Sequence, residues 1–319
     1  MVPLDAALIL ALLLGLYLAS ILVLLSRLSY AWARRLGRLP PDRRFWVERR
    51  GVTVAAASIL ILYAAAAVWG TLVERHWVAF TRHTIKVSEP VLGEPRFRIV
   101  HLSDLHLDQI GTRERKAVEL VRESRPHLIV LTGDYLDTRG GGPALLEMLR
   151  ALKAVGAPYG IVAVGGPTDE KYLVRELFRQ EKVEWLEDDT QMVEREGRRL
   201  RLAGQAARPA RTVREILGGL GTDVFTVLLR HSPDVAQEIE ARGPGARVDL
   251  AFTGQTHGGQ VCLPFWGAIH TGARTHKRYE RGLHRVGDVP MLVNRGLGTS
   301  GMPVRILARP EVTLVELVN

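Results

Sequence analysis

Two uncharged runs constrain this chain more than any other feature. Ala6 to Leu25 is 20 residues long, Gly51 to Val73 is 23, and neither contains Asp, Glu, Lys or Arg. An α-helix rises about 1.5 Å per residue, so roughly 20 residues cross a hydrocarbon core about 30 Å thick. Neither run shows the polar stripe of a surface helix, and core helices of soluble proteins seldom stay uncharged for so long. The pattern predicts a transmembrane helical hairpin over residues 1–75, with spans near 6–25 and 51–73 and the lipid bilayer as its partner. No basic segment precedes the first run and no small-x-small site ends it, which argues against a cleaved leader.

The 319 residues carry a net charge of +9, which alone would suggest a nucleic-acid partner. Its location removes that reading. Residues 1–50 hold 8 Arg against 3 acidic residues, whereas the 220 residues from 100 onward hold 30 basic and 28 acidic ones. The large C-terminal part is nearly balanced, and no nucleic acid is expected to bind it. The loop from Arg27 to Arg50 contains all 8 of those Arg and only Asp42 and Glu48 as acids. Short loops this basic stay in the cytoplasm. The expectation is a multi-pass protein of the cell (inner) membrane whose soluble domain lies on the outer, periplasmic face. The single cysteine, Cys262, excludes an intramolecular disulfide and any thiolate-clustered metal site.

Beyond a polar connector over 76–95, short apolar runs alternate with amphipathic ones. Strands are predicted at 98–102, 128–131, 160–164, 224–229 and 248–252, with a hairpin over 192–203 turning at Gly197. Helices are predicted from Thr112, as a cap, and over 143–155, 169–180 and onward from about 233. Alternation of this kind implies a layered α/β domain over 96–319.

Polar residues collect immediately after these strands. Ser103-Asp104-Leu105-His106 follows the first, Thr132-Gly133-Asp134 the second, His231-Ser232-Pro233 the fourth, and Gly254-Gln255-Thr256-His257-Gly258-Gly259-Gln260 the fifth. In open α/β sheets the ligand crevice lies at the carboxyl ends of the strands. Carboxylates and imidazoles delivered there suit a first-row divalent ion, and a carboxylate such as Asp134 can bridge two ions about 3.5–4 Å apart. Arg274, Lys277 and Arg278 follow the last of these loops and are candidates to grip a phosphate.

At these residues the chain resembles the calcineurin-like metallophosphoesterases, and most of all their membrane-anchored bacterial branch. The likeness runs from about Thr84 to the C-terminus and extends to Arg295-Gly296-Leu297-Gly298, Pro303-Val304-Arg305 and Arg309-Pro310-Glu311. It implies a four-layer αββα sandwich behind the membrane hairpin, and one or two divalent ions of the Mn, Fe or Zn type. By position, Asp104, His106, Asp134 and His257 match the ligands of the first metal, and Asp134 and His231 match two ligands of the second.

The departures all strike the second half-site. Where the family reads Gly-Asn-His-Asp, this chain has Gly166-Pro167-Thr168-Asp169. Pro167 replaces a ligand Asn, and Thr168 replaces the His that assists the leaving group. Gln255 replaces a ligand His with a weaker carbonyl donor. Thr168 and Asp169 thus occupy the family's catalytic His-Asp positions. Two functions follow. One is a membrane-anchored phosphoesterase acting on a phosphodiester or pyrophosphate, small or lipid-linked, through metal-activated water. The other is an impaired relative that binds metal or a phosphorylated ligand at the membrane without turnover.

Overall fold

The computed structural model describes residues 4–38, 50–88, 91–195 and 198–319. The chain divides into two compact units, Met1–Val73 and Glu74–Asn319.

The first unit is a helical pair, α1 (Leu4–Arg35) and α2 (Arg50–Val68), the latter continued by a π-helical turn at Trp69–Val73. Its packing is the reverse of a soluble protein's. Leu8, Leu12, Leu22, Ile61 and Leu62 are exposed, while those buried among the described residues are small: Ser20, Ala56 and Gly70. Polar groups are satisfied inward. Ser20 Oγ donates to the Leu16 carbonyl at 2.8 Å, Tyr63 Oη donates to the Leu13 carbonyl at 3.0 Å, and Arg27 bonds Thr53. The segments Ala11–Arg35 and Arg50–His76 are long and apolar enough to cross a membrane by length and composition. Residues 39–49 of the Arg-rich loop lie outside the described residues.

The second unit stacks two sheets between helices. The first sheet holds β1 (Ala79–Lys86), β2 (Arg96–Leu102), β3 (Leu128–Thr132), β4 (Ile161–Val164), β5 (Glu184–Trp185) and β14 (Glu311–Val318), in the order β1-β14-β2-β3-β4-β5. The second holds β6 (Asp189–Arg195), β7 (Arg198–Gly204), β8 (Phe225–Leu229), β9 (Leu250–Thr253), β12 (Gly282–Val286) and β13 (Val289–Val293), in the order β12-β13-β9-β8-β7-β6. A two-stranded hairpin, β10 (Cys262–Leu263) and β11 (Gly267–Ala268), stands apart from both. Alternation along the strands decides which side chains meet. Phe97, Ile99, Leu128 and Val130 of the first sheet pack on Leu200, Leu202, Val227 and Phe252 of the second.

The opposite faces take the helices. Val100, Leu102, Ile129 and Leu131 pack under α3 (Thr112–Ser124), α4 (Gly142–Lys153) and α5 (Lys171–Gln180). Ala203, Leu228 and Ala251 pack under α6 (Val213–Leu217) and α7 (Val235–Ala241). This is the expected αββα sandwich.

Two local expectations are corrected. Residues 76–95 are more than a connector. Residues 79–86 form β1, which pairs in parallel with β14 from Ala79↔Glu311 to Lys86↔Val318. Thr112 does not cap α3. Gly111 is the N-cap, and the Glu114 carboxylate accepts its N–H at 2.8 Å. β6 and β7 pair antiparallel as the expected hairpin, and the expected turn at Gly197 lies outside the described residues.

Candidate metal centre

The parallel strands β2 and β3 of one sheet and β8 and β9 of the other end on the same side of the sandwich. Their following loops therefore converge across the junction of the sheets. Backbone conformation there is unusual. Asp104, His106, Asp134, Gln255 and His257 all have positive φ, between 40° and 69°. Non-glycine residues avoid this region, and clusters of them mark functional sites. Two glycines let the backbone come close. A Cβ on Gly254 would collide with Ser103 Oγ and an Asp104 oxygen, and one on Gly166 would collide with Asp134 Oδ1.

Asp104, Asp134, His106, His231 and His257 are all buried. Their ligating atoms form two groups, each within 4.8 Å of one another: Asp104 with His106 and His257, and Asp104 with Asp134 and His231. Asp104 Oδ1 lies 3.4 Å from His257 Nε2 and 3.8 Å from His231 Nε2. Asp134 Oδ2 lies 3.4 Å from His231 Nε2 and 3.9 Å from His106 Nε2. Each carboxylate thus stands between a histidine of one group and a histidine of the other. These gaps are too long for hydrogen bonds and too short for indifferent neighbours. His106 Nε2, His231 Nε2 and the Gln255 carbonyl oxygen are buried without a hydrogen-bond partner. Buried acceptors are normally satisfied, and a divalent cation is the partner this donor set fits.

Burial and the facing charges set the electrostatics of these groups. Burial pushes Asp104 above the usual carboxylate range, opposed by His231 and reinforced by Asp134. Burial alone would lower His231, but Asp134, Asp104 and the Thr132 carbonyl hold it above its usual value. Burial, with the Arg305 charge beside it, keeps His257 well below its usual value and therefore neutral, as a metal ligand must be.

Around this centre each loop is fixed by a specific group. His231 Nδ1 meets the Thr132 carbonyl at 2.6 Å, which orients Nε2 toward the carboxylates. Gln255 N–H donates to both Asp104 oxygens at 3.2 and 3.0 Å. Asp169 has no free oxygen. It accepts from the amides of Asp134 (3.0 Å), Gly166 (2.7 Å) and Tyr135 (2.8 Å), and burial raises it to about 6. It holds the 165–169 loop against Asp134. Pro167 and Thr168 are exposed, and the Thr168 amide donates to Asp134 Oδ1 at 3.1 Å.

Arg305 received no role from the sequence beyond membership of a motif. It is fully buried, and its guanidinium donates to the carbonyls of Gly298 (3.0 Å), Ala308 (2.7 Å), Arg295 (2.9 Å) and His257 (3.3 Å). It ties the C-terminal loops beneath His257. Only its position between Pro303 and Ala308 in an otherwise apolar stretch could have signalled this.

The three expected substrate contacts separate. Arg274 lines a cavity of about 470 Å³ together with Pro167, Arg208, Arg230, His231 and Gln255. Lys277 and Arg278 do not. Lys277 Nζ donates to the Trp266 carbonyl at 2.6 Å and lies 4.4 Å over its ring, while Arg278 pairs with Glu240 at 3.5 Å. Arg208 was missed. Its loop is clamped by Asp188, which accepts from the amides of Ala206 (2.9 Å) and Ala210 (2.7 Å), and by Arg230, which donates to the Ala206 carbonyl at 2.5 Å. The acids lining the cavity are occupied: Asp234 accepts from the amides of Arg274 and Thr275, and Glu238 from Gln205 and Val213. The guanidinium groups of Arg208 and Arg274 remain for an anionic ligand.

Comparison with known proteins agrees with this geometry. Residues 97–257 match the calcineurin-like phosphoesterase family. An uncharacterized metallophosphoesterase of Bacillus subtilis, YkuE, is 33% identical over 260 residues, covering 76% of this chain and 87% of its own. Phosphodiesterase YaeI of Escherichia coli is 27% identical over 294 residues, covering 87% and 99%. A transmembrane protein with a metallophosphoesterase domain from Danio rerio is 28% identical over 340 residues, covering 95% and 72%. Sandwich, buried Asp/His groups and sequence likeness coincide on one class, hydrolases acting on ester bonds, and this chain belongs to the calcineurin-like phosphoesterase family.

Proposed function

We propose that this chain is a membrane-anchored, metal-dependent phosphoesterase that hydrolyses a phosphodiester or pyrophosphate bond of a small or lipid-linked substrate. The observation that carries this reading is the pair of buried Asp/His groups sharing Asp104, with His106 and His231 each offering an unpartnered Nε2. Asp104, His106, His257 and Asp134 would hold one divalent ion, and Asp134, His231 and Gln255 the other. Ions held there would supply Lewis acidity and a water nucleophile at neutral pH. Arg208 and Arg274 bind and orient the substrate's anionic group from the adjoining cavity. Asp169 keeps the 165–169 loop against Asp134.

The full chain in detergent, supplied with Mn²⁺ or Zn²⁺, is expected to hydrolyse bis-p-nitrophenyl phosphate. Chelation should stop the reaction and returned metal should restore it. A protein that binds metal at this site yet hydrolyses no diester would be the non-catalytic relative instead.

Two apolar helices of spanning length support the anchoring, as does the likeness to the Danio rerio transmembrane protein. The Arg-rich loop supports an outer soluble domain. A periplasm-dependent alkaline phosphatase reporter fused after Asn319 should be active in whole cells. Activity of a cytoplasm-dependent reporter at the same position would reverse the orientation.

A further inference from the structure

We infer that the phosphoesterase domain docks one face on the bilayer through a rim of exposed aromatic, apolar and basic residues around Trp77, Phe265 and Trp266. This rests on the membrane-anchored reading above and adds a second, independent contact to it.

Three segments of the domain build the rim. Phe265 and Trp266 form the tip of the β10–β11 hairpin. Phe265 is 111% exposed, Trp266 is 47% exposed, and Phe265 sits in the left-handed region at φ 62°. A bulky residue held there, with its ring wholly in solvent, has no reason to exist in water alone. The second segment, 302–309, exposes Met302 and Leu307. The third, 74–78, exposes Trp77 and begins immediately after Val73, the last residue of the apolar helical unit.

The segments are laced together. Cys262 N–H donates to the Ile306 carbonyl at 2.8 Å, and Cys262, Ala268 and Ala308 share a small core. Arg281 donates to the Leu307 carbonyl at 2.9 Å. On the other side, Arg75 donates to the Pro303 carbonyl at 3.2 Å and Ala308 N–H donates to Glu74 at 2.8 Å.

The chemistry of the rim selects a lipid headgroup region over a protein groove. Each exposed Trp carries a cation on its ring: Lys277 lies 4.4 Å over Trp266, and Arg309 lies 3.9 Å over Trp77. Trp beside Lys or Arg is the composition of membrane–water interfaces, where the ring takes the boundary and the cation meets phosphate. Covalent continuity with a helix of spanning length keeps Trp77 within four residues of that unit's last residue. The rim also reaches the metal centre. Gln260 donates to the Met302 carbonyl at 2.9 Å, and Arg305 donates to that of His257 at 3.3 Å. A phosphoester presented at headgroup depth would therefore lie beside the catalytic crevice.

The test uses the full chain with Cys262→Ala, reconstituted in phosphatidylcholine–phosphatidylglycerol vesicles. One nitroxide is placed at Phe265→Cys, Leu62→Cys or Tyr172→Cys, and its accessibility to oxygen and to a water-soluble nickel chelate is read by electron paramagnetic resonance. Tyr172, 86% exposed on α5, reports water, and Leu62, mid-way along α2, reports lipid if the helix spans. The expected oxygen-to-nickel ratio at 265 lies between those at 62 and 172, well above the value at 172. A ratio at 265 equal to that at 172, with 62 in lipid, overturns the docking face and leaves the anchor standing. Lipid-like 265 with water-like 62 keeps the docking face and overturns the anchor. Water-like ratios at both positions overturn both.

Discussion

Asp134→Asn is expected to lower diester hydrolysis by about 1,000-fold, because several kcal/mol of charge stabilisation is at stake and 1.36 kcal/mol is a factor of ten. The substitution keeps the shape of the side chain and its acceptor for the Thr168 amide. It removes the charge that lies 3.4 Å from His231 Nε2 and 3.9 Å from His106 Nε2. The rise in melting temperature that metal gives the natural protein should shrink at the same time, because a ligand's stabilisation grows with its affinity for the folded state. Differential scanning calorimetry with and without Mn²⁺ checks this. Unchanged hydrolysis in Asp134→Asn would remove this residue from the site.

The second large effect is a gain. Pro167→Asn with Gln255→His returns the donors that the second half-site lacks relative to the family, and Thr168→His returns a proton donor. The triple substitution should raise diester hydrolysis by about 100- to 10,000-fold for the general acid, with a further contribution from tighter metal binding. The positions allow it. Pro167 and Thr168 are exposed, and only the backbone amide of Thr168 bonds Asp134. Gln255 has φ 69°, a conformation in which His is several-fold enriched. The combined gain should exceed the sum of the single changes, because residues that act as a unit are not additive. A natural protein already fast on bis-p-nitrophenyl phosphate and unimproved by the triple change would show that Pro167, Thr168 and Gln255 belong to a complete site of another design.

What could be read from sequence followed from how strongly each feature was encoded locally. Asp104, His106, Asp134, His231 and His257 were legible because each follows an apolar strand, and the ends of parallel strands must converge. β1 was not, because Ala79–Lys86 lies at a sheet edge with alternating half-buried and exposed residues and reads as a polar linker. The partners of Lys277 and Arg278 were not legible, because Trp266 and Glu240 lie in other segments of the chain. The sequence places Asp169 at the family's His-Asp position without indicating its partners. Nothing in its neighbours reveals that three amides occupy its oxygens. Arg208 lies in a loop without pattern, and only the clamp from Asp188 and Arg230 shows that it is positioned.

The most direct test is a crystal of the full chain grown with Mn²⁺, with anomalous differences measured above and below the manganese edge. A full-strength peak is expected at about 2.0–2.3 Å from atoms of Asp104, His106, Asp134 and His257, the range of first-row oxygen and nitrogen ligands. A weaker second peak should stand about 3.5–4 Å away, against His231, Asp134 and Gln255. A map with no manganese among these residues, from crystals of protein that hydrolyses the diester, would contradict the assignment of this centre as the catalytic site.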